Sequence, residues 1–334
     1  MALTNLEIHV LVEELQSLEG CFFEKMQDIE KGFKLKFTKH NLVVCAPEKI
    51  HLTKYTYKAN TPSNISMYAR KHLKGARVQA IKQAGFDRTI IIELDNDYKI
   101  IIEMFSKGNL VLVHEDKTKH CLRIEKWKDR EIRPGREYRL PASKGLDPKE
   151  LEENEFMTVF DQKDIIRSLV KNINMSGKYL EEVCFRAGVD KLEKEPSPEE
   201  KKKLFKELKK LIKERKPGIQ EEPVTTKLKK SKKEYTEKES FNQALDDFHS
   251  PKKEVKTKTT GKLDKRLKDQ EKTLSELKEK IVKDKQKGDL IYAKFNELNQ
   301  LFAKIKEKDS DWKKIEEELG VKVNPKTKKF SIDL

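Results

Sequence analysis

The chain has 334 residues, 36% hydrophobic and 39% charged, with 73 Lys and Arg against 58 Asp and Glu for a net charge of +15. That length allows two or three domains, and four scattered cysteines and seven scattered histidines, without paired Cys spacing or an HExxH, exclude a recognisable metal site or disulfide framework. Residues 201–290 alone hold 29 Lys and Arg against 17 Asp and Glu, so the basic second half points to a polyanion such as nucleic acid, with a solvated helical arm as the plain alternative.

The N-terminal "MALTNLEIHVLVEELQ" lacks the basic start and long apolar run of a signal peptide, and no segment reaches the ~20 apolar residues of a membrane span. The expectation is a soluble, cytoplasmic protein with no membrane, metal or cofactor. Apolar positions 6, 8, 11, 12, 15 and 18 predict an amphipathic helix, which Thr4 and Glu7 open with a capping box. "FKLKFTKHNLVVCA" predicts a hairpin and "IHLTKYTY" a third strand. A helix through "SNISMYARKHL" then closes at Gly75. "ARVQAIKQ", "DRTIIIEL", "YKIIIEMF", "NLVLVHE" and "KHCLRIEKW", separated by short turn clusters, predict an antiparallel meander, because no connection is long enough for a parallel crossover.

The three prolines of "RPGREYRLPASKGLDP" mark a boundary near residue 145. Short helices follow over 147–216, two of them joined by the tight "NMSG". Residues 217–250 read as a polar linker with one short helix at "FNQALDDF". Leu263, Leu267, Leu274, Leu277 and Ile281 recur at alternating steps of three and four, with Gln270 filling one seam position, which predicts a coiled-coil helix over 251–287. Its partner is another molecule or a missing C-terminal part. Residues 288–334 predict two further helices, the second at "DWKKIEEELG", and a final strand in "KKFSIDL".

The ordered set "GFDRTIIIEL", "IIEMFSKGNLVLV", "PGREYRLP", "NMSGKYLEEVCFRAGVDK", "ESFNQALDDFHS", "KGDLIYAKFNELNQL" and "DWKKIEEELG" resembles the NEMF/RqcH family of ribosome-associated quality-control factors, with an archaeal texture. The resemblance implies an α+β fold. Residues 1–145 would form a β-rich NFACT-N domain and 147–216 a helix-hairpin-helix domain. A linker (217–250), a first coiled-coil helix (251–287) and a small middle segment (288–334) would follow. It implies partners: an obstructed large ribosomal subunit with its peptidyl-tRNA, and tRNA recruited for untemplated C-terminal tailing. It implies no enzyme in the strict sense, since ribosomal RNA performs peptidyl transfer. The chain stops at "SIDL", before the family's second coiled-coil strand and NFACT-R domain, so the seam would be left unpaired and open to self-association.

In the family an Asp-Arg pair before a strand serves tRNA recognition, and here it falls on Asp87 and Arg88. The acidic position of the next strand falls on Glu103, with Met104 beside it. An acid near the start of the first helix falls on Glu7, where the family usually has Asp and where the capping box supplies a second explanation. Arg offers a planar fork to phosphate or a base edge, and Asp can accept from exocyclic amino groups or hold the Arg; an exposed ion pair is the alternative for Asp87 and Arg88. Arg70 and Lys71, on a basic helix, and Ser176, Gly177 and Lys178, at the "NMSG" hairpin, are candidate RNA-backbone contacts. Gly108-Asn109 reads as a hairpin turn, and Trp127 and Trp312 as packing residues.

Three other classes compete. A formamidopyrimidine-type DNA glycosylase would need a catalytic N-terminal proline, an adjacent Glu and a zinc finger, which this sequence lacks. A surface adhesin is disfavoured by the N-terminus. A generic RNA-binding coiled-coil adaptor without tRNA selectivity would bind through its lysine clusters and ignore Asp87 and Arg88.

Overall fold

The computed structural model describes residues 2–143, 145–250, 259–307, 322–324 and 329–331. The chain divides into two units, Met1–Pro251 and Lys252–Leu334, each taken by itself.

The first unit is built around α1 (Asn5–Leu15), whose capping box is complete: Thr4 N donates to Glu7 Oε2 at 2.8 Å, and Glu7 N donates to Thr4 Oγ1 at 3.3 Å. Leu6, Ile8, Val10, Leu11 and Leu15 are all buried, so this helix is covered on several sides rather than along one stripe. A four-stranded antiparallel meander follows, of β1 (Phe23–Ile29), β2 (Gly32–Phe37), β3 (Asn41–Cys45) and β4 (Lys49–Leu52). The hairpin and third strand are as expected; β1 is an addition. Its register slips between Phe23 and Lys25, so the buried residues fall at Phe23, Met26 and Ile29, and the usual alternation is lost.

After α2 (Asn64–His72) comes the predicted meander: β5 (Val78–Gln83), β6 (Thr89–Leu94), β7 (Tyr98–Glu103), β8 (Asn109–His114) and β9 (Lys117–Cys121), paired in that order. Both faces of its middle strands are apolar. Ile90, Ile92, Ile100, Ile102, Leu110 and Leu112 join the main core, while Ile101, Val111, Val113 and Cys121 form a second cluster with Ile132. That second face is covered by a small ribbon of β10 (Glu125–Lys126) and β11 (Glu131–Ile132). "KHCLRIEKW" is therefore two strands, not one. The Asn109 side chain both accepts from Arg123 N (3.1 Å) and donates to Arg123 O (2.9 Å), turning the chain between β9 and β10. Gly108, at φ +70°, stands so close to the first meander that an added Cβ would lie 2.2 Å from the Ala46 carbonyl carbon.

Four helices follow: α3 (Glu153–Phe156), α4 (Ile165–Asn172), α5 (Gly177–Ala187) and α6 (Pro198–Lys213). Ser197 and Glu200 box the start of α6, Pro198 occupies its first turn, and Leu204, Leu208, Leu211 and Ile212 are buried on one face. Residues 217–250 depart from the expected linker. They form a three-stranded sheet of β12 (Gly218–Gln220), β13 (Glu222–Val224) and β14 (Thr236–Glu237), then α7 (Phe241–Phe248). Phe241, Ala244 and Leu245 enter the main core, and Glu14 of α1 accepts from the amides of Phe241 (2.8 Å) and Asn242 (2.6 Å). Three apolar residues at one-turn spacing suffice because α1 and β4 already present a surface to receive them.

In the second unit, α8 (Thr259–Ala293) runs for 35 residues, about 50 Å of helix, past the expected end at 287. A break at Lys294 precedes α9 (Phe295–Glu307), and β15 (Lys322–Asn324) pairs with β16 (Lys329–Ser331), inside the expected final strand. Leu274, Leu277 and Ile281 of the seam are exposed. Leu263 and Leu267 lie outside the residues whose side chains are described, and Trp312 and "DWKKIEEELG" lie outside the described residues.

Candidate nucleic-acid interface

Asp87 and Arg88 stand on the turn between β5 and β6. Phe86, 1% exposed, plugs that turn into the core against the His9 ring, with centroids 5.2 Å apart. Gln83 Nε2 donates to Asp87 O at 2.8 Å, and Met104 N donates to Arg88 O at 2.7 Å, so the backbone is fixed on both sides. Asp87 Oδ1 accepts from the Arg88 amide at 2.6 Å. No ion pair joins the Asp87 carboxylate to the Arg88 guanidinium. The Arg88 guanidinium has no hydrogen-bond or ion-pair partner among the described residues, although it is only half-exposed.

The turn borders a cleft of about 430 Å³ whose wall includes Asn5, Asp87, Arg88, Trp127, Arg130 and Asn174. Asn5 ties two parts of the wall together, donating to Phe86 O and to Asn174 Oδ1, both at 2.8 Å. Asn174 lies in the "NMSG" connection between α4 and α5, so the helical hairpin and the meander meet at this cleft. Neither asparagine nor Arg130 stood out in the sequence.

Glu103 and Met104 lie behind the cleft rather than in it. Met104 is fully buried. The Glu103 carboxylate accepts from Arg130 Nη1 (2.7 Å) and Nη2 (3.3 Å) and from the Tyr138 hydroxyl (2.8 Å). Burial alone would lower the Arg130 pKa, but Glu103 outweighs it and holds the guanidinium above its ordinary value. Burial, and then the Glu103 carboxylate, push the Tyr138 phenol up. The Arg130 guanidinium lies 4.3 Å from the Trp127 ring centroid, close enough for a cation–π contact. Trp127, expected as a packing residue, packs on the second cluster yet also lines the cleft.

Glu7 is fully buried. Besides Thr4 N it accepts from Lys178 Nζ (3.0 Å) and the Tyr179 hydroxyl (2.9 Å), and Tyr179 in turn meets the Thr225 hydroxyl at 3.3 Å. It fastens α1 to α5. Lys178 is thereby held by a carboxylate, Ser176 is the N-cap residue of α5 with its buried hydroxyl unpartnered, and Gly177 begins the helix. Arg70 and Lys71 sit elsewhere, on α2: Arg70 Nε donates to Met26 O at 2.8 Å and Lys71 is exposed. Among the described residues no group of three or more His, Cys, Asp or Glu could hold a metal ion, and no helix is long and apolar enough to cross a membrane.

The chain matches the family model for NFACT N-terminal and middle domains over residues 4–330. It is 32% identical to the archaeal Rqc2 homolog aRqcH of Methanocaldococcus jannaschii, over 94% of this chain and 53% of that protein. It is 34% identical to the ribosome quality control complex subunit 2 of Saccharomyces cerevisiae, over 34% of this chain and 12% of that protein. The chain thus spans about half the length of the archaeal relative, and the yeast match is shorter still. Among solved structures, the fibrinogen binding protein of Staphylococcus aureus superposes with a TM-score of 0.64 at 22% identity, over 75% of this chain and 100% of that one. The N-terminal part of the fibronectin/fibrinogen-binding protein of Streptococcus suis gives 0.62 at 18% identity, over 74% and 98%. Those two likenesses establish a shared fold.

Proposed function

Because this chain belongs to the NEMF/RqcH family, matched by the NFACT N-terminal and middle domains along nearly its whole length, we propose that it is a ribosome quality-control factor. In this reading it engages a large ribosomal subunit obstructed by peptidyl-tRNA and recruits tRNA for untemplated tailing of the stalled chain. It works in the cytoplasm, by binding, and leaves bond making to ribosomal RNA. The names of the curated relatives support the quality-control role.

One observation carries the tRNA part: Arg88 is held by its backbone at the rim of a cleft while its guanidinium has no partner among the described residues. A planar cation left half-buried without a carboxylate is ready to take a phosphate or a base edge without first breaking an internal pair. Asp87 fixes the turn through the Arg88 amide and keeps a second carboxylate oxygen for an exocyclic amino group. Glu103, Met104 and Glu7 then act through what they hold: Glu103 positions Arg130 and Trp127, Met104 anchors Arg88 by its backbone, and Glu7 joins α1 to the helical hairpin.

The test is tRNA binding by wild type, Arg88→Ala and Asp87→Ala across several salt concentrations. The reading expects both variants to lose affinity or tRNA preference, with the salt slope lowered by about one contact for Arg88→Ala and unchanged for Asp87→Ala. Equal binding by all three, collapsing together with salt, would instead favour a generic RNA-binding adaptor acting through the lysine clusters. The exposed Leu274, Leu277 and Ile281 support self-association through α8. Sedimentation that shows a monomer at every concentration would remove that part.

A further inference from the structure

The outer face of the first meander carries a cluster of cations that its own fold does not explain. Antiparallel register sets Lys25 of β1 directly opposite Lys36 of β2, and Gln27 opposite Lys34. Met26, Leu35, Phe33 and Phe37 point the other way into the core, so the three lysines share one face. Like charges facing each other across a ladder destabilise a sheet. The repulsion registers at Lys34, whose pKa is lowered first by partial burial and then by Lys25 and Lys36. Glu24 pairs with Lys36 at 2.6 Å and answers only one of them.

The cluster continues into a groove between β1 and α2, where Lys25 and Gln27 are joined by Arg70 and Lys74. Arg70 is clamped by its Nε bond to Met26 O and has no carboxylate partner among the described residues. The favourable dipole at a helix C-terminus accounts for cations in the last turn of α2. It does not account for the lysines on the sheet. Phe22, 48% exposed, lies in the same groove and offers an aromatic face.

We propose that this face is a second nucleic-acid surface, which binds the sugar–phosphate backbone of an RNA strand through Lys25, Lys34, Lys36, Arg70 and Lys74, with Phe22 stacking on an unpaired base. A bound strand neutralises the repulsion that the free protein sustains. The row spans two strands and a helix end, which suits an extended polyanion rather than a single small anion. A positive face with an adjacent aromatic is the arrangement by which single-stranded regions are held without sequence choice. The surface is separate from the cleft at Arg88 and stands whether or not that cleft reads tRNA. tRNA and ribosomal RNA share this backbone, and titration with each tells the two sources apart.

The experiment uses the full chain carrying Lys25→Gln, Lys34→Gln and Lys36→Gln together, Lys74→Gln alone, and Arg88→Ala in parallel. Each is titrated with purified tRNA and with purified large ribosomal subunits at several salt concentrations. For the RNA that occupies this face, the triple variant is expected to flatten the slope of log K against log salt by about 2 to 3, and Lys74→Gln by about 1. Thermal unfolding of the free triple variant is expected to rise or hold, because a repulsion has been removed. A flattened slope with tRNA alone, with subunits alone or with both identifies the source and supports the proposal. Unchanged slopes for both RNAs overturn it, even if Arg88→Ala weakens tRNA. If the triple variant unfolds more easily, the decision passes to Lys74→Gln, whose side chain has no partner among the described residues, and an unchanged slope there overturns the proposal. Weakened binding to an acidic protein but not to RNA would also overturn it.

Discussion

The carboxylate of Glu103 meets the guanidinium of Arg130 in a two-pronged ion pair, at 2.7 and 3.3 Å, with both side chains shut away from water. Removing either partner strands the other charge in the interior. Glu103→Ala or Arg130→Ala is therefore expected to cost about 3–5 kcal/mol of unfolding free energy, read from urea denaturation. Arg130→Lys should recover little, since an ammonium cannot make the forked contact. A Glu103→Ala protein that binds tRNA as tightly as wild type would contradict the positioning role given to Glu103.

Trp127 leans on Arg130 and lines the cleft. If an unpaired base enters there, Trp127→Leu should weaken tRNA binding by about 1–3 kcal/mol while leaving the salt slope intact. The chain has only two tryptophans, Trp127 and Trp312. In a Trp312→Phe background, tRNA should thus quench the remaining fluorescence. Full binding without quenching would place the base elsewhere.

Glu7 is where two readings of one residue meet. The capping box and the family position both point at it, and the structure adds Lys178 and Tyr179 as further partners. A shorter carboxylate cannot serve Thr4, Lys178 and Tyr179 together. Glu7→Asp, though it keeps the negative charge, should cost about 1–3 kcal/mol through an unsatisfied buried group. Thermal unfolding would detect it, and a neutral result would show that the hairpin docks by other contacts.

Much of this was legible because local rules and the global fold agree. Thr4 with Glu7, the alternating Ile90, Ile92, Ile100 and Ile102, and the turn at Gly108 each state their structure in neighbouring residues. What escaped did so for identifiable reasons. A bulge beside Phe23 disguised β1. The residues that complete the cleft, Asn5, Arg130 and Asn174, come from three distant segments, and pairings such as Asn5 with Asn174, 169 residues apart, leave no periodic trace. Phe241 and Leu245 looked like isolated apolar residues in a polar stretch because the surface that receives them was made by other elements.

Phe241 and Phe248 bracket the same short helix in opposite surroundings, one buried and one 44% exposed. Phe241→Ala should destabilise the first unit by about 3–5 kcal/mol. Phe248→Ala should stay within about 1 kcal/mol. Denaturation curves that treat the two alike would mean that α7 is not part of the cooperative core.

His249, just beyond α7, has its pKa lowered to about 4 by burial first, then by Lys49 and His51. The native state thus favours the neutral ring, and the unfolded chain binds the extra proton between pH about 6.5 and about 4. The contribution is fully present above pH 6.5 and is lost as pH falls through that window. Replacing His249 with Gln should flatten the pH dependence of stability there. An unchanged profile would mean that the ring titrates normally.

The bonds from Glu14 to the amides of Phe241 and Asn242 join residues 227 and 228 positions apart. During synthesis α1 emerges first and α7 on the order of tens of seconds later. Until then the helix at the centre of the unit has no lid over part of its apolar surface. These contacts cannot form before the intervening chain has been made, so part of the apolar surface of α1 stays uncovered until residues 241–250 have left the ribosome.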